Sequence, residues 1–142
     1  MCGIAGYYSF TTKISDDILY KMNASTTHRG PDANGFYAHA SVGLTHNRLS
    51  IIDLTEVANQ PMLSANGRYV IVFNGEIYNF KELIKAHNLQ VKTSSDTEVV
   101  IELFAKYGIS CIAMLNGMFA AAIYDTEKMC IRDRIIWMKM TY

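Results

Sequence analysis

Cysteine and proline are scarce in this sequence, and neither sign of charge dominates it. The three cysteines, Cys2, Cys111 and Cys130, form no C-x-x-C pair and no even set for disulfides. That argues against a disulfide-stapled secreted scaffold and for a reducing, cytoplasmic setting. Lys and Arg number 13 against 13 Asp and Glu, with no basic run or stripe. Nothing therefore points to nucleic acid or to an anionic membrane surface. The four histidines, His28, His39, His46 and His87, lack the spacing of a zinc site. Residues 1–20 lack the basic start and apolar run of a signal peptide. The most apolar stretch, 111–124, is too short to cross a bilayer and is broken by Asn116-Gly117. What is present is an ordinary globular composition, 50% hydrophobic and 18% charged. At 142 residues the chain is long enough for one domain with a real core.

The chemistry starts at Met1-Cys2-Gly3-Ile4-Ala5-Gly6. An initiator methionine followed by a small residue is readily trimmed. Trimming would leave Cys2 with a free α-amine a few bonds from its own sulfur. Such an amine titrates at about 7.7–8.0 and a thiol at about 8.5, so a useful fraction of the amine is a base at neutral pH. It can take the thiol proton directly or through one water, which activates a nucleophile within a single residue. The plain alternative is a translation start followed by an inert, buried cysteine.

Residues 2–9 alternate small and large apolar side chains and read as a buried strand. Residues 14–25 read as a helix, with Ser15 as N-cap, Asp16 and Asp17 in the first turn, and an Ile14–Leu19 staple. Ile18, Leu19 and Met22 are expected to face inward. His28-Arg29-Gly30-Pro31-Asp32 reads as a charged loop around a Gly-Pro turn. Residues 35–40 and 42–49 read as two short strands, with Val42, Leu44 and His46 on one face and Thr45 and Asn47 on the other. Arg48 could pair with Asp53 or offer its planar fork to a substrate carboxylate. A loop over 54–63 and a turn at Asn66-Gly67 lead to a buried strand over 68–73. That strand is expected to stop at Asn74-Gly75-Glu76. The stop is either a plain hairpin turn or an anion-binding one, with the Asn74 amide and the Gly75 N–H as converging donors. Residues 79–87 and 95–106 read as helices, with Asn79 and Glu82, then Ser95 and Glu98, at capping-box spacing. Val99, Val100, Leu103, Phe104 and Tyr107 form the second helix's apolar side and Gly108 its stop. Asp96 either complements the helix dipole or binds a cation such as an ammonium. Residues 118–124 read as a central strand buried on both faces. Strands joined by short turns, interleaved with helices, argue for a mixed or antiparallel α+β layered domain.

Seven runs occur in order: Cys2-Gly3-Ile4-Ala5-Gly6, His28-Arg29-Gly30-Pro31-Asp32, His46 to Asp53, Asn59-Gln60-Pro61-Met62, Asn74 to Asn79, Ser94 to Glu98, and Leu115-Asn116-Gly117-Met118-Phe119. With these runs the chain resembles the class II glutamine amidotransferases, most closely the glutaminase domain of glutamine-hydrolysing asparagine synthetase. The resemblance implies an N-terminal-nucleophile hydrolase fold, a four-layer αββα sandwich of two antiparallel sheets between helical layers. It implies that Cys2 attacks the side-chain amide of glutamine while Asn74 and Gly75 hold the oxyanion. It gives Arg48 the glutamine α-carboxylate, helped by the backbone around Leu49, Ile51 and Ile52, and gives Glu76 and Asp96 the α-ammonium. His28 to Asp32 would belong to the loops around the site. No metal or cofactor is expected in this domain. ATP and magnesium would serve a C-terminal synthetase domain that amidates aspartate with the released ammonia.

The resemblance extends from Met1 to about Asp125. The expectation is one amidotransferase domain over 1–128, incomplete at its C-terminus, and an irregular tail over 129–142. In that tail Arg132-Asp133-Arg134 keeps a trace of the family pattern and the rest does not, as a truncation or reading-frame artefact would produce. Two alternatives stand beside this reading. One is the glutaminase domain of a related sugar or secondary-metabolite amidotransferase. The other is a non-catalytic truncated fragment whose open sheet edges favour association. A homodimer is compatible with either.

Overall fold

A computed structural model of the chain describes residues 2–10, 15–50 and 55–128, together with the backbone of Trp137–Lys139. Strand β1 (Gly3–Tyr8) is followed by helix α1 (Asp16–Thr26), a single 3-10 turn (Thr27–Arg29), and strands β2 (Ala33–His39) and β3 (Val42–Arg48). These three strands form one antiparallel sheet in the order β1-β3-β2. Then come a 3-10 turn (Glu56–Ala58), β4 (Met62–Leu63), β5 (Tyr69–Ile77), helices α2 (Phe80–His87) and α3 (Asp96–Tyr107), β6 (Gly117–Asp125) and β7 (Trp137–Lys139). Strands β4-β5-β6-β7 form a second sheet, antiparallel throughout.

The alternation along β5 builds the layers. Val70 and Val72 point one way, into a small cluster with Val42 and Leu44 of β3 and Tyr124 of β6. Ile71, Phe73 and Ile77 point the other way, into the main core with Val99, Val100, Leu103 and Phe104 of α3. One face of the second sheet thus meets the first sheet and the other meets α3, on which α2 packs; α1 covers the first sheet against β1 and β3. The result is helix, sheet, sheet, helix: the α+β sandwich expected from the sequence. Val70, Ile71, Ile77, Val99, Val100, Ile101 and Leu103 are wholly buried. Burying each such side chain contributes about 1.5–3 kcal/mol.

Several local expectations hold. Ser15 Oγ accepts the Asp17 N–H and Ser95 Oγ the Thr97 N–H, so both residues cap their helices. Gly108, at φ +60°, ends α3. Val42 and Leu44 face the second sheet, as does His46, while Thr45 and Asn47 face α1.

Other expectations are corrected. The inward face of α1 is not Ile18, Leu19 and Met22. Leu19 is buried, but Ile18 is 45% exposed, and Asn23 is buried in its stead. The reason is that α1 docks on a polar strand. The Asn23 amide donates to Thr45 Oγ1, and Asn47 Nδ2 donates to the Asn23 carbonyl at 2.7 Å and to Thr26 Oγ1 at 2.8 Å. The Ile14 staple lies outside the described residues. Asn79 does not cap α2. Its side chain bridges to the loop before β6, donating to Met114 O and accepting from Asn116 N–H, both at 3.0 Å. Glu98 does not complete a capping box with Ser95. Its carboxylate accepts from the Lys92 and Thr93 N–H groups and from Thr93 Oγ1, closing the loop ahead of α3. Tyr107 sits at the rim rather than in the core, its hydroxyl 3.0 Å from His87 Nδ1. Met118 is 52% exposed, so β6 is not buried on both faces along its whole length. β7 falls within the stretch read as an irregular tail; the rest of 129–142 lies outside the described residues.

Asn74-Gly75 gives the most informative correction. The strand does not stop there. It runs on to Ile77, with Asn74 opposite Ala120 and Gly75 opposite Phe119 of β6. A Cβ on Gly75 would lie 2.5 Å from Phe119 Cα and Cβ, and nearer still to the Met118 carbonyl oxygen. Glycine is required here by close backbone approach within a sheet and by a φ of +156°, not by a turn.

Candidate active site

The register of β1 on β3 places the cysteine. Gly3 lies opposite Asn47, so Cys2, one residue earlier, comes alongside Arg48 and Leu49 where β3 ends. Its Sγ lies 3.4 Å from the Leu49 N–H nitrogen and 3.7 Å from the Leu49 carbonyl oxygen, and the residue is half-buried. The Cys2 carbonyl accepts from Arg29 Nε at 3.1 Å. The neighbouring Gly-Pro loop braces the same place. The Asp32 N–H donates to Arg48 O at 3.0 Å, and the Asp32 carboxylate accepts the Ser50 N–H at 2.8 Å. The loop at His28 to Asp32 therefore surrounds the cysteine, with the His28 side chain turned outward and exposed.

Across a cavity of about 300 Å³ stands the second sheet. Cys2, Arg48 and Leu49 line one wall; Asn74, Gly75, Glu76 and Asp96 line the other. A volume of that size suits a small polar metabolite. Two layers of the sandwich thus bring together residues separated by about half the chain.

The charges in the wall are unequal in burial. Glu76 is exposed, whereas Asp96 is 4% exposed, with its Oδ2 accepting the Ile77 N–H at 2.8 Å. Burial pushes the Asp96 carboxyl above the ordinary carboxylate range. The Glu76 charge pushes the same way, against the Ile77 and Thr97 N–H groups. A buried carboxylate whose charge is further opposed by a neighbouring carboxylate favours a cation beside it. Arg48 is 8% exposed, and its Nη1 donates to Thr55 O at 2.8 Å and Asn59 Oδ1 at 2.6 Å. Those bonds fix the guanidinium at the cavity wall. Asp53, the alternative partner of Arg48, lies outside the described residues, as do Ile51 and Ile52. Among the described residues no group of three His, Cys, Asp or Glu side chains could hold a metal ion. No described helix is long and apolar enough to cross a membrane.

The sequence reading missed part of the lining. His46, Gln60, Tyr78, Thr97 and Met118 also border the cavity. The signal for His46 was available: it continues the alternation of Val42 and Leu44 toward the second sheet. Gln60 lies in an irregular segment with no periodicity to place it.

The whole sequence, residues 1–142, matches the family model described as a glutamine amidotransferase domain. Over 94% of its length the chain is 39% identical to asparagine synthetase [glutamine-hydrolyzing] 2 of Bacillus subtilis. It is 37% identical over 90% of its length to asparagine synthetase B [glutamine-hydrolyzing] of Escherichia coli, and 40% identical over 77% to asparagine synthetase [glutamine-hydrolyzing] of Zea mays. The chain spans only 19% to 24% of the length of these relatives. A cysteine, a pair of candidate oxyanion donors and opposed cationic and anionic walls thus occur in a chain that belongs to the glutamine amidotransferase domain family.

Proposed function

We propose that the chain is a glutaminase module that releases ammonia from the side chain of glutamine with Cys2 as nucleophile. The observation that carries this reading is the pairing across one cavity of Cys2 on the first sheet with Asn74 and Gly75 on the second. Removal of Met1 frees the α-amine of Cys2. The amine takes the thiol proton as Sγ bonds to the amide carbon of glutamine. The carbonyl oxygen becomes an oxyanion, held by the Asn74 side-chain N–H and the Gly75 backbone N–H. When it collapses, the C–N bond breaks and ammonia leaves with the proton held by the α-ammonium. A water then attacks the thioester, glutamate departs and the thiol is restored. Arg48, with the backbone at Leu49, Ile51 and Ile52, holds the substrate carboxylate; Glu76 and Asp96 hold its ammonium. The sequence involves neither redox nor phosphoryl transfer, so no metal or cofactor is assigned to this domain.

Relatives named as glutamine-hydrolysing asparagine synthetases support a further reading of the acceptor. The ammonia would pass to a synthetase domain that uses ATP and magnesium to amidate aspartate, in the cytoplasm and as a homodimer.

The test is expression of the full chain with an untagged N-terminus, read by intact mass and by glutamate released from glutamine. Loss of one methionine and hydrolysis abolished by Cys2→Ala are the expected results. Asn74→Ala should lower kcat by about 10²–10³, the usual cost of one oxyanion donor. Retained Met1, or hydrolysis that survives Cys2→Ala, would overturn the assignment.

A further inference from the structure

The Asn74 and Gly75 donors sit on a strand that is partly without a neighbour. β4 covers β5 only opposite Val70 and Ile71. Two residues further on, Phe73 turns both of its backbone polar groups to that same edge, because ladder groups alternate sides along a strand. Phe73 is 2% exposed, so water does not satisfy them. Two side chains do. The Phe73 N–H donates to Gln60 Oε1 at 2.6 Å, and the Phe73 carbonyl lies 3.2 Å from His46 Nε2.

Both side chains are buried and anchored in other walls of the site. Gln60 is 8% exposed and donates through Nε2 to Thr97 Oγ1 at 3.2 Å, at the start of α3 beside Asp96. His46 is 1% exposed and stands on β3, two residues before Arg48. A carbonyl can only accept, so the proton of the His46 ring sits on Nε2. Burial holds the ring neutral, pushing its pKa down to about 4, with Arg48 adding to the effect. Nδ1 has no hydrogen-bond partner among the described residues. Among the described residues the Nε2 bond to β5 is therefore the one hydrogen bond of this ring. Phe73 is the joint at which β3, β5 and α3 meet.

We propose that His46 and Gln60 are positioning residues: by holding the two backbone polar groups of Phe73 they fix the Asn74 and Gly75 donors relative to Cys2 Sγ. This rests on the glutaminase reading above. Among the described residues neither side chain hydrogen-bonds to Cys2, Asn74 or Gly75, and each acts through the strand that carries the donors.

The test compares His46→Leu and Gln60→Met, which remove the two bonds, with His46→Gln and His46→Asn. A glutamine amide reaches about as far as Nε2, whereas an asparagine amide falls short. Misplaced donors lower kcat by about 10–100-fold, while KM for glutamine stays within about twofold, because Arg48 on β3 and Asp96 on α3 keep their hold on the substrate ends and only the exposed Glu76 moves with β5. His46→Gln restores most of kcat and His46→Asn does not. Alkylation of Cys2 by iodoacetamide is read in parallel. That reaction displaces iodide at a saturated carbon and forms no oxyanion, so its rate should stay at the parent value in every variant. Unchanged kcat in both removal variants overturns the proposal. So does a joint fall of kcat, KM performance and alkylation rate, which marks a merely structural role. If His46→Leu fails to fold, the Gln and Asn variants decide, and equal kcat in the two overturns the proposal. A parent chain without Cys2-dependent hydrolysis removes the glutaminase reading itself. A parent that is active beside unaffected variants removes only the positioning roles.

Discussion

Replacing Gly75 by alanine tests the close approach of β5 to β6. The added methyl carbon would stand 2.5 Å from Phe119 Cα and Cβ, where non-bonded carbons prefer about 3.5–4.0 Å. Overpacking against movable side chains costs about 1–3 kcal/mol. Here the obstacle is the backbone of β6, which cannot rotate away. Relief requires parting the ladder from Asn74 to Ile77, which is paired with Gly117 to Ala120. About four ladder bonds at about 1 kcal/mol each are at risk, so a loss of about 3–5 kcal/mol is expected. Gly67 is the internal control. At φ +72° it is also unfavourable for alanine, but nothing lies within 4 Å of a Cβ there. Gly67→Ala should therefore cost only the left-handed backbone term, about 1 kcal/mol. Urea unfolding followed by circular dichroism measures both. If Gly75→Ala costs no more than Gly67→Ala, the strands are not in the close contact described, and the placement of the Gly75 N–H falls with it.

Three further outcomes are expected. The buried His46 ring, held neutral to about pH 4 against an ordinary 6.5, makes the unfolded chain bind more protons between those values. Stability should fall by about 2 kcal/mol on acidification to about pH 5 and by about 3 kcal/mol below pH 4; a His46→Gln chain with the same slope would refute this. Asp125 is held below the usual carboxylate range chiefly by its two hydrogen bonds from Arg68, at 3.0 and 2.7 Å. Its contribution is present above the unfolded value and lost in acid, so Arg68→Met should lower the urea midpoint at neutral pH and converge with the parent under acid. Cys111 is fully buried, with its thiol pushed up to about 12, whereas Cys2 is half-buried at a cavity wall. Peptide mapping after native labelling should find the probe on Cys2, and on Cys111 only after unfolding.

Much of this fold was legible because its signals are local. Ser15 and Ser95 cap the helices their spacing predicts, and the alternation of Val42, Leu44 and His46 survives intact in β3. Reading failed where a tertiary partner overrode a local signal. Asn74-Gly75 has the composition of a turn, but the strand runs on beside β6, and glycine serves a close approach at positive φ within the ladder instead. Ile18 has the hydropathy of a core residue, but α1 rests on Thr45 and Asn47, so the buried position fell to Asn23. The candidate site was legible as separate runs, since each motif is short and continuous. Its supports were not, because Gln60 acts at Phe73 and Thr97, distant in sequence and without periodicity. Ile51 and Ile52 lie outside the described residues.

The small cluster of Val42, Leu44, Val70, Val72 and Tyr124 between the sheets acquires a meaning beyond stability. In the proposed mechanism the nucleophile rides on one slab of the sandwich and the oxyanion donors on the other, and these side chains are the spacer. A displacement of about 1 Å in a reacting constellation can cost about a hundredfold in rate, so turnover acts as a gauge of the spacer's thickness. A close-packed seam transmits a change of one methylene. Selection on such a seam would act on summed volume rather than on identity. A valine trimmed on β5 is then tolerable chiefly when β3 or β6 gains the missing carbon, so the lineage's substitutions here should travel in compensating pairs.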